Sequence, residues 1–219
     1  MTTRSFSFEP GEFYHLYNRG VEKRIIFEDA HDYNRFQQLL YVVNTSEPTD
    51  FRIIKKNNNS VYNFDRIDRL VSIGAYCLMP NHFHILLTPV QEGGVSTFMN
   101  KLSTSYVMYF NKKYKRSGAL YEGKFKAKHV ASDEYLKYIF SYIHLNPVKL
   151  IQSDWKEKGI KDVKKAYEYA GNFKHSSLLD YQRAVRAEST ILDAEPFPDY
   201  FQTVTKRKAE LIEWLQYTE

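Results

Sequence analysis

The chain is poor in the residues that characterise disulfide-rich, fibrous or flexible proteins. Its 219 residues include one cysteine, nine glycines and seven prolines. The lone Cys77 excludes an intramolecular disulfide framework and a cysteine-rich zinc site. No run of about 18 apolar residues predicts a membrane span, and residues 1–8 lack the apolar core of a signal peptide. We therefore expect a soluble, cytoplasmic, globular protein.

Positive charge is concentrated in one part of the chain. The net charge is +5 at pH 7, yet residues 101–130 alone hold eight lysines and arginines against the single acidic residue Glu122. Such a cluster beside aromatic residues favours a polyanionic partner. An ordinary solvated face would have the same composition, so charge alone leaves both interpretations open.

Hydrophobic periodicity predicts alternating strands and helices. We expect strands at 12–20, 71–79, 82–88 and 120–130, and helices at 30–43, 95–110 and 132–146. Asp29 and Ser132 are the expected N-caps. Pro147 should end the last helix by pushing Asn146 out of the helical region. The order predicts an α+β fold, with an antiparallel sheet and helices packed on one of its faces.

Two parts of the chain fall outside this pattern. Residues 46–69 resemble an insertion. We expect a polar turn or a mobile loop at 55–60, and its flanks are compatible with a short hairpin. After residue 150 the pattern weakens, and short helices are expected near 163–169, 175–181 and 203–217. We therefore assign a core domain to 10–150 and a helical C-terminal extension to 151–219.

The run Met79-Pro-Asn-His-Phe-His-Ile-Leu-Leu87 is the most informative segment. Because strand side chains alternate between faces, His82 and His84 project to one side and Phe83 to the other. Paired imidazoles on an apolar strand indicate ligands for a metal ion. Histidine is also common as a polar residue of a core or interface, so the pair does not settle the matter.

A tyrosine and an asparagine stand four residues apart on the last predicted helix. At that spacing Tyr142 and Asn146 are neighbours on one helix face. Asn146 would add an amide oxygen to a cation held by His82 and His84, a set suited to Mg²⁺ or Mn²⁺ that would also accept zinc. Tyr142 would face the bound phosphate as a nucleophile. Each residue also has a plainer interpretation. Tyr142 is one of 18 tyrosines, and a tyrosine beside an apolar stripe usually serves packing. Asn146 would simply cap the end of the helix.

Three motifs together resemble a known family. His82-Phe83-His84 is similar to the histidine–hydrophobe–histidine signature of the HUH endonuclease superfamily. With the runs Tyr14-His-Leu-Tyr-Asn-Arg-Gly20 and Tyr142-Ile-His-Leu-Asn-Pro-Val-Lys149, it resembles the REP-associated tyrosine transposases, relatives of the single-tyrosine transposases of bacterial insertion sequences. The resemblance covers residues 10–182 in motif order. It implies a ferredoxin-like HUH core of β-α-β-β-α-β order, followed by a helix that carries the nucleophile.

The resemblance also implies roles for individual residues. His82, His84 and Asn146 would hold Mg²⁺ or Mn²⁺, and Tyr142 would become linked to a 5′-phosphate. Such proteins nick and rejoin single-stranded DNA folded into imperfect palindromic hairpins. Asparagine at 146, where many insertion-sequence relatives have glutamine, indicates the REP-associated branch. Tyr138 is a rival nucleophile by its helix position, but it lacks the four-residue step to Asn146.

The expected DNA contacts lie in the first motif and in the basic stretch. Asn18 and Arg19 belong to the family's opening motif, and Tyr121 would stack on an unpaired base. The phosphate contacts would be Lys112, Lys113, Lys115, Arg116, Lys124, Lys126 and Lys128. Lysines at 124, 126 and 128 would equally discourage pairing of an edge strand. The expected partner is hairpin DNA in the nucleoid, with no membrane contact, and both a homodimer and a monomer remain open.

Two other functions fit parts of the sequence. A catalytically idle regulator that binds DNA hairpins would keep the same motifs. A zinc hydrolase acting on a small molecule would also use His-x-His on a strand. The sequence weighs against the hydrolase, because Tyr142 rather than an obvious carboxylate base accompanies the histidines.

Overall fold

A four-stranded antiparallel sheet forms the centre of the protein in the computed structural model, which describes residues 6–198 and 203–216. The strands are β1 (Phe13–Arg19), β2 (Val71–Met79), β3 (His82–Pro89) and β4 (Lys126–Val130). Their order in the sheet is β2-β3-β1-β4, and each neighbouring pair is antiparallel. The last strand is shorter than predicted, because 120–125 is a loop that pairs through one isolated bridge, between Tyr121 and Gly20 just after β1.

The helices follow in the predicted order. They are α1 (Ala30–Val42), α2 (Phe51–Asn57), α3 (Gly94–Lys113), α4 (Asp133–Leu145), α5 (Trp155–Lys158), α6 (Val163–Gly171), α7 (Leu178–Tyr181) and α8 (Val204–Gln216). The order β1-α1-β2-β3-α3-β4, with α4 next, confirms the α+β class and the ferredoxin-like core. Within the described residues, none of the helices has the length and apolar character required to cross a membrane.

The predicted helix caps are present. Asp29 accepts hydrogen bonds from the backbone N–H groups of residues 31 and 32, and Ser132 accepts one from residue 135. The α4 helix ends at Leu145, because Pro147 has no N–H to continue it. Asn146 nevertheless keeps helical angles, φ −54° and ψ −38°, contrary to the prediction. The chain continues as a 3₁₀ turn over Asn146–Leu150, and the Asn146 N–H still donates to the Ile143 carbonyl.

Helices cover both faces of the sheet, so the prediction of one covered face is wrong. The larger core lies between the sheet and α1 and α3, and includes Phe83 and Ile85. The smaller core lies under α4 and includes Cys77 and Leu86. The physical reason is that β2 is buried at every position and mostly apolar, and such a strand requires cover on both sides.

The segment 46–69 forms a helix and a 3₁₀ turn, so the predicted hairpin is also wrong. Asp50 caps α2 by accepting from two backbone N–H groups, and Ile54 of that helix is buried. The turn Val61–Asn63 places Tyr62 edge-to-face on Tyr41 of α1, with ring centroids 5.6 Å apart. A side-chain cap and one buried contact are sufficient to favour a short helix here.

The C-terminal extension packs on the outer edge of β2. Its predicted helices correspond to α6, α7 and α8, while residue 217 lies outside the described residues. The Leu78 N–H donates to the His175 carbonyl at 2.9 Å, and the Ser177 N–H donates to the Tyr76 carbonyl at 3.0 Å. These bonds satisfy backbone groups that an open edge would leave unpaired. The division of the chain at residue 150 stays a prediction.

A buried carboxylate joins α1 to the end of α3. Asp32 is fully buried and accepts hydrogen bonds from the Tyr109 hydroxyl at 2.9 Å and the Tyr114 hydroxyl at 2.8 Å. The Lys113 ammonium lies 2.6 Å from the same carboxylate and also reaches Asp29. One side chain therefore satisfies three donors from the neighbouring helix and its end.

We predict that Asp32→Ala lowers the free energy of unfolding by about 3 kcal/mol, because a charge and two hydroxyls lose their buried acceptor. Asp29→Ala removes only an exposed cap and a surface ion pair, and should cost about 1 kcal/mol. Urea denaturation of the two variants measures the difference. Equal losses would contradict the importance of the buried carboxylate.

Candidate metal and nucleophile site

The structure brings the four predicted site residues together at one end of the sheet. His82 and His84 project from the same face of β3, with ring centroids 5.0 Å apart. The ring of Tyr142 on α4 lies 5.2 Å from that of His84. The Asn146 amide oxygen lies 3.4 Å from the His82 Nε2 atom. All four belong to one chain, so a single copy contains the complete set.

The hydrogen bonds around His82 determine which ring nitrogen is free. The Asn81 amide donates to the Lys23 carbonyl at 3.2 Å, which turns its Oδ1 atom towards His82. That oxygen lies 2.6 Å from His82 Nδ1, so Nδ1 carries the hydrogen and Nε2 keeps a lone pair. The Asn146 amide donates to the Tyr142 carbonyl at 3.4 Å, which leaves its Oδ1 facing His82 Nε2. Two acceptors therefore face each other, and a cation between them would satisfy both.

His84 presents a second free nitrogen to the same region. Its Nδ1 atom lies 2.9 Å from the Nε2 atom of His15 on β1. Its own Nε2 atom is buried and has no hydrogen-bond partner among the described residues. A buried polar atom without a partner is costly unless an ion or water satisfies it. The nitrogen is thus available to a metal ion.

Both candidate ligands are in the uncharged form that binds metals. Burial lowers the pKa of His82 to about 4, and burial also lowers the pKa of His84 well below its ordinary value. Repulsion from the nearby Lys149 ammonium acts in the same direction on both rings. Neutral imidazole is therefore the form present near neutral pH, without competition from protons for the metal.

The residues present fit a divalent cation with open coordination positions. The donor set contains two imidazole nitrogens and one amide oxygen, and no thiolate. In the described part of the chain, no group of three or more His, Cys, Asp or Glu side chains is placed to hold a metal ion. A three-ligand site therefore requires the amide of Asn146 in addition to the histidines. The remaining positions would be left for phosphate oxygens or water.

The site opens into a cavity of about 360 Å³. His82, His84 and Tyr142 line it, together with Arg19, Lys126, Lys149 and the acidic Glu122. Its wall thus combines the candidate metal ligands with three cationic side chains. A cavity of this composition suits a phosphate-bearing ligand.

The cavity distinguishes the candidate nucleophile Tyr142 from the alternative candidate, Tyr138. Tyr138, one turn earlier on α4, stacks against Tyr142 with ring centroids 6.0 Å apart and meets Trp214 of α8 edge-to-face at 5.1 Å. It is absent from the cavity lining. The Lys156 ammonium lies 4.7 Å from the Tyr142 ring centroid and that of Lys149 lies 5.8 Å away. The geometry favours Tyr142 over Tyr138, as the four-residue spacing predicted.

Two of the predicted basic contacts face the site. In the sheet Lys126 pairs with Tyr17, which in turn pairs with His84, so the three side chains share a face. Lys128 lies on the same face two residues on and, like Lys126, is exposed. Lys124 is exposed in the loop before β4.

The end of α3 lies on the other side of the sheet. Lys112 and Lys115 are exposed there. Lys113 is held by the carboxylates of Asp29 and Asp32. Arg116 donates to the side chain of Asn111 at 2.6 Å and to a backbone carbonyl at 3.0 Å. The charged groups of Lys113 and Arg116 are thus bound within the protein, and their role as phosphate contacts stays a prediction.

Two other predicted DNA contacts are buried. Tyr121 is 7% exposed and packs edge-to-face on Phe83 at 5.9 Å, so it has no free ring face for a base. Asn18 is 5% exposed and donates to the Gly123 carbonyl at 3.1 Å, which fixes the loop before β4. Arg19 remains half-exposed at the cavity but is engaged in a two-pronged ion pair with Glu122. The burial of Tyr121 contradicts its predicted role in stacking on a base. Asn18 lines the cavity, and its predicted DNA contact stays a prediction.

Sequence reasoning missed three residues near the site. His15 lies in the first motif, two residues before Tyr17, and the strand alternation places it on the face of the site. Lys149 ends the third motif and was not singled out. Lys156 lies on the short α5 helix, and no pattern in the sequence connects it to Tyr142.

Residues 52–146 match the family of IS200-like transposases. The family is described as "Transposase IS200 like". The matched segment contains both candidate histidines and Tyr142, and it ends at Asn146. The resemblance indicated by the motifs is thus confirmed for this segment, which is less than half of the chain. The matched segment begins within residues 46–69, and the interpretation of those residues as an insertion stays a prediction.

One solved structure is also similar to this chain. It is described as the REP-associated tyrosine transposase bound to a REP hairpin, and it is 12% identical with a TM-score of 0.49. The similarity covers 86% of this chain and 90% of that one. No curated protein matches the chain.

We predict that Mn²⁺ raises the melting temperature of the wild-type protein and that His84→Phe removes this effect. Binding to the folded state alone adds about 2.7 kcal/mol of stability at 100 times the dissociation constant. Phenylalanine keeps the ring volume but removes the ligand. His175→Phe, a substitution outside the site, should retain the shift. An unchanged shift in His84→Phe would show that the ion binds elsewhere.

Proposed function

We propose that this protein nicks and rejoins single-stranded DNA beside a hairpin by transesterification through Tyr142. The observation that carries the proposal is that His82, His84 and Tyr142 line one cavity together with cationic side chains, while the Asn146 amide oxygen lies 3.4 Å from His82 Nε2. The match of this segment to the IS200-like transposases supports the same reaction class.

His82, His84 and Asn146 would hold Mg²⁺ or Mn²⁺. When bound, such an ion polarises the phosphate and stabilises negative charge on the leaving oxygen. The protein's contribution is to hold the three ligands in place before DNA arrives. The bond from His82 Nδ1 to Asn81 and the bond between Asn146 and the Tyr142 carbonyl orient two of them.

Tyr142 performs the covalent step. Its hydroxyl oxygen attacks the phosphorus, the bond from phosphorus to the 3′-oxygen breaks, and a 5′-phosphotyrosine forms. The phenol loses its proton and the departing 3′-oxygen gains one, so the strand ends in a free 3′-hydroxyl. Attack by a 3′-hydroxyl on the phosphotyrosine reverses the step. The phosphodiester energy is conserved, and rejoining needs no ATP.

Lys149 and Lys156 supply positive charge around the nucleophile. Their ammonium groups lie within 6 Å of the Tyr142 ring centroid, at 5.8 and 4.7 Å. Negative charge develops on the attacking oxygen and on the phosphate, and fixed cations nearby stabilise it. A phenol is otherwise a poor nucleophile near neutral pH.

The exposed lysines of β4 would guide the strand to the cavity. Lys126 lines the cavity and Lys128 continues along the same face of the sheet. Contacts of this kind bind the phosphate backbone and fix its position without reading the sequence. A protein that only binds hairpins would use the same surface, so the covalent adduct decides between the two functions.

We predict that the wild-type protein, given labelled hairpin DNA with a single-stranded flank and Mn²⁺, forms a protein–DNA adduct that survives denaturation. Tyr142→Phe should abolish the adduct because it removes the attacking oxygen. Tyr138→Phe is the matched control on the same helix and should retain it. Hairpin binding with no adduct in the wild-type protein would instead favour the regulator. Adduct formation by Tyr142→Phe would exclude Tyr142 as the nucleophile.

We predict that Lys126→Ala weakens DNA binding and reduces the slope of log affinity against log salt by about 1, as expected for one lost phosphate contact. Lys55→Ala is the control, since Lys55 is also exposed but lies on α2, outside the basic stretch. Fluorescence anisotropy at several salt concentrations measures both. The same change in both variants would mean that the basic stretch acts only through total charge.

A further inference from the structure

His15 lies directly behind His84, on the neighbouring strand. The two side chains are diagonal neighbours on one face, because β1 pairs Tyr17 with His84 and His15 with Leu86. The His15 Nε2 atom is 2.9 Å from His84 Nδ1, and His15 is only 4% exposed. The contact is therefore a direct hydrogen bond shielded from water.

Two placements of the hydrogen are compatible with this distance, and only one leaves His84 able to bind a metal. If His84 Nδ1 carries the hydrogen, it donates to His15 Nε2, and His84 Nε2 keeps its lone pair. If His15 Nε2 carries the hydrogen instead, His84 Nε2 must be protonated and cannot be a ligand. The free, buried Nε2 atom of His84 is the atom whose state the bond determines.

We propose that His15 is a positioning residue, which accepts the hydrogen bond from His84 Nδ1 and so keeps His84 Nε2 unprotonated and directed at the cation. The inference rests on the proposed function, since it takes His84 as a ligand. Asn81 accepts a hydrogen bond from His82 Nδ1 in the same way. Each candidate histidine would then have its own orienting partner, as metal-bound histidines commonly do.

Neighbouring rings hold His15 in this position. It stacks on Tyr17 with ring centroids 5.2 Å apart and meets Tyr142 edge-to-face at 6.0 Å. A phenylalanine at position 15 would keep much of this packing while removing the acceptor. A glutamine would restore an acceptor at about the reach of His15 Nε2. The two substitutions separate the hydrogen bond from the packing of the ring.

The direct test is the hydrogen position on His84 in the metal-free protein, measured by the nitrogen chemical shifts of its ring in NMR. We expect the hydrogen on Nδ1 in the wild-type protein and in His15→Gln, and a shift of the population towards Nε2 in His15→Phe. A wild-type ring with its hydrogen on Nε2 would overturn the inference. The inference would also be overturned if the hydrogen stayed on His84 Nδ1 in the His15→Phe variant.

Mn²⁺ binding without DNA gives a second readout. His15→Phe should weaken the affinity roughly 10- to 100-fold, the range found when such orienting partners are removed. His15→Gln should stay much closer to wild type, and His175→Phe should match wild type. Wild-type affinity in His15→Phe would contradict the role, as would an equal loss in His15→Gln, which would indicate packing alone.

These results are independent of DNA cleavage. An Nδ1 hydrogen on His84 in a protein that forms no DNA adduct would support the inference and overturn the nicking proposal. An Nε2 hydrogen in a protein that does form the adduct would do the reverse. The two proposals therefore fail separately.

Discussion

The site depends on the approach of two hydrogen-bond acceptors that have no hydrogen between them. His82 Nε2 and Asn146 Oδ1 face each other at 3.4 Å, and each is turned that way by a bond on its other side. Lone pairs repel unless a cation or a donor lies between them. Under the proposed function, a metal ion would make this arrangement favourable, and the neutral, buried His84 nitrogen would add a further ligand.

The fold provides this approach through cover on both faces of the sheet. The larger core packs the sheet against α1 and α3, with Phe83 pointing into it between the two histidines. The α4 helix is then required on the opposite face, where β2 and β3 are also apolar. Because α4 begins after β4 and ends at Leu145, its last turn and the residue that follows it bring Tyr142 and Asn146 over the histidine strand. Packing of the smaller core thus positions the chemistry.

Much of the arrangement of the site residues was predictable from the sequence, because it depends on the spacing of residues within one strand or one helix. The alternation in His82-Phe83-His84 sets which side chains share a face, and the four-residue step sets Tyr142 above Asn146. The lysines of the basic stretch were less predictable. The pattern shows where positive charge lies along the chain, but Lys113 is bound to two carboxylates and Tyr121 is buried. Those partners come from segments far away in sequence.

The sequence by itself determined the element order, the helix caps, the shared face of the two histidines and the similarity to transposases. Only the tertiary structure decided that both sheet faces are covered, that His15 backs His84, and that Lys149 and Lys156 approach Tyr142. The physical reason is the range of the interactions. Periodicity and capping act within a few residues, whereas a contact between strands or helices depends on register and packing set by the whole chain.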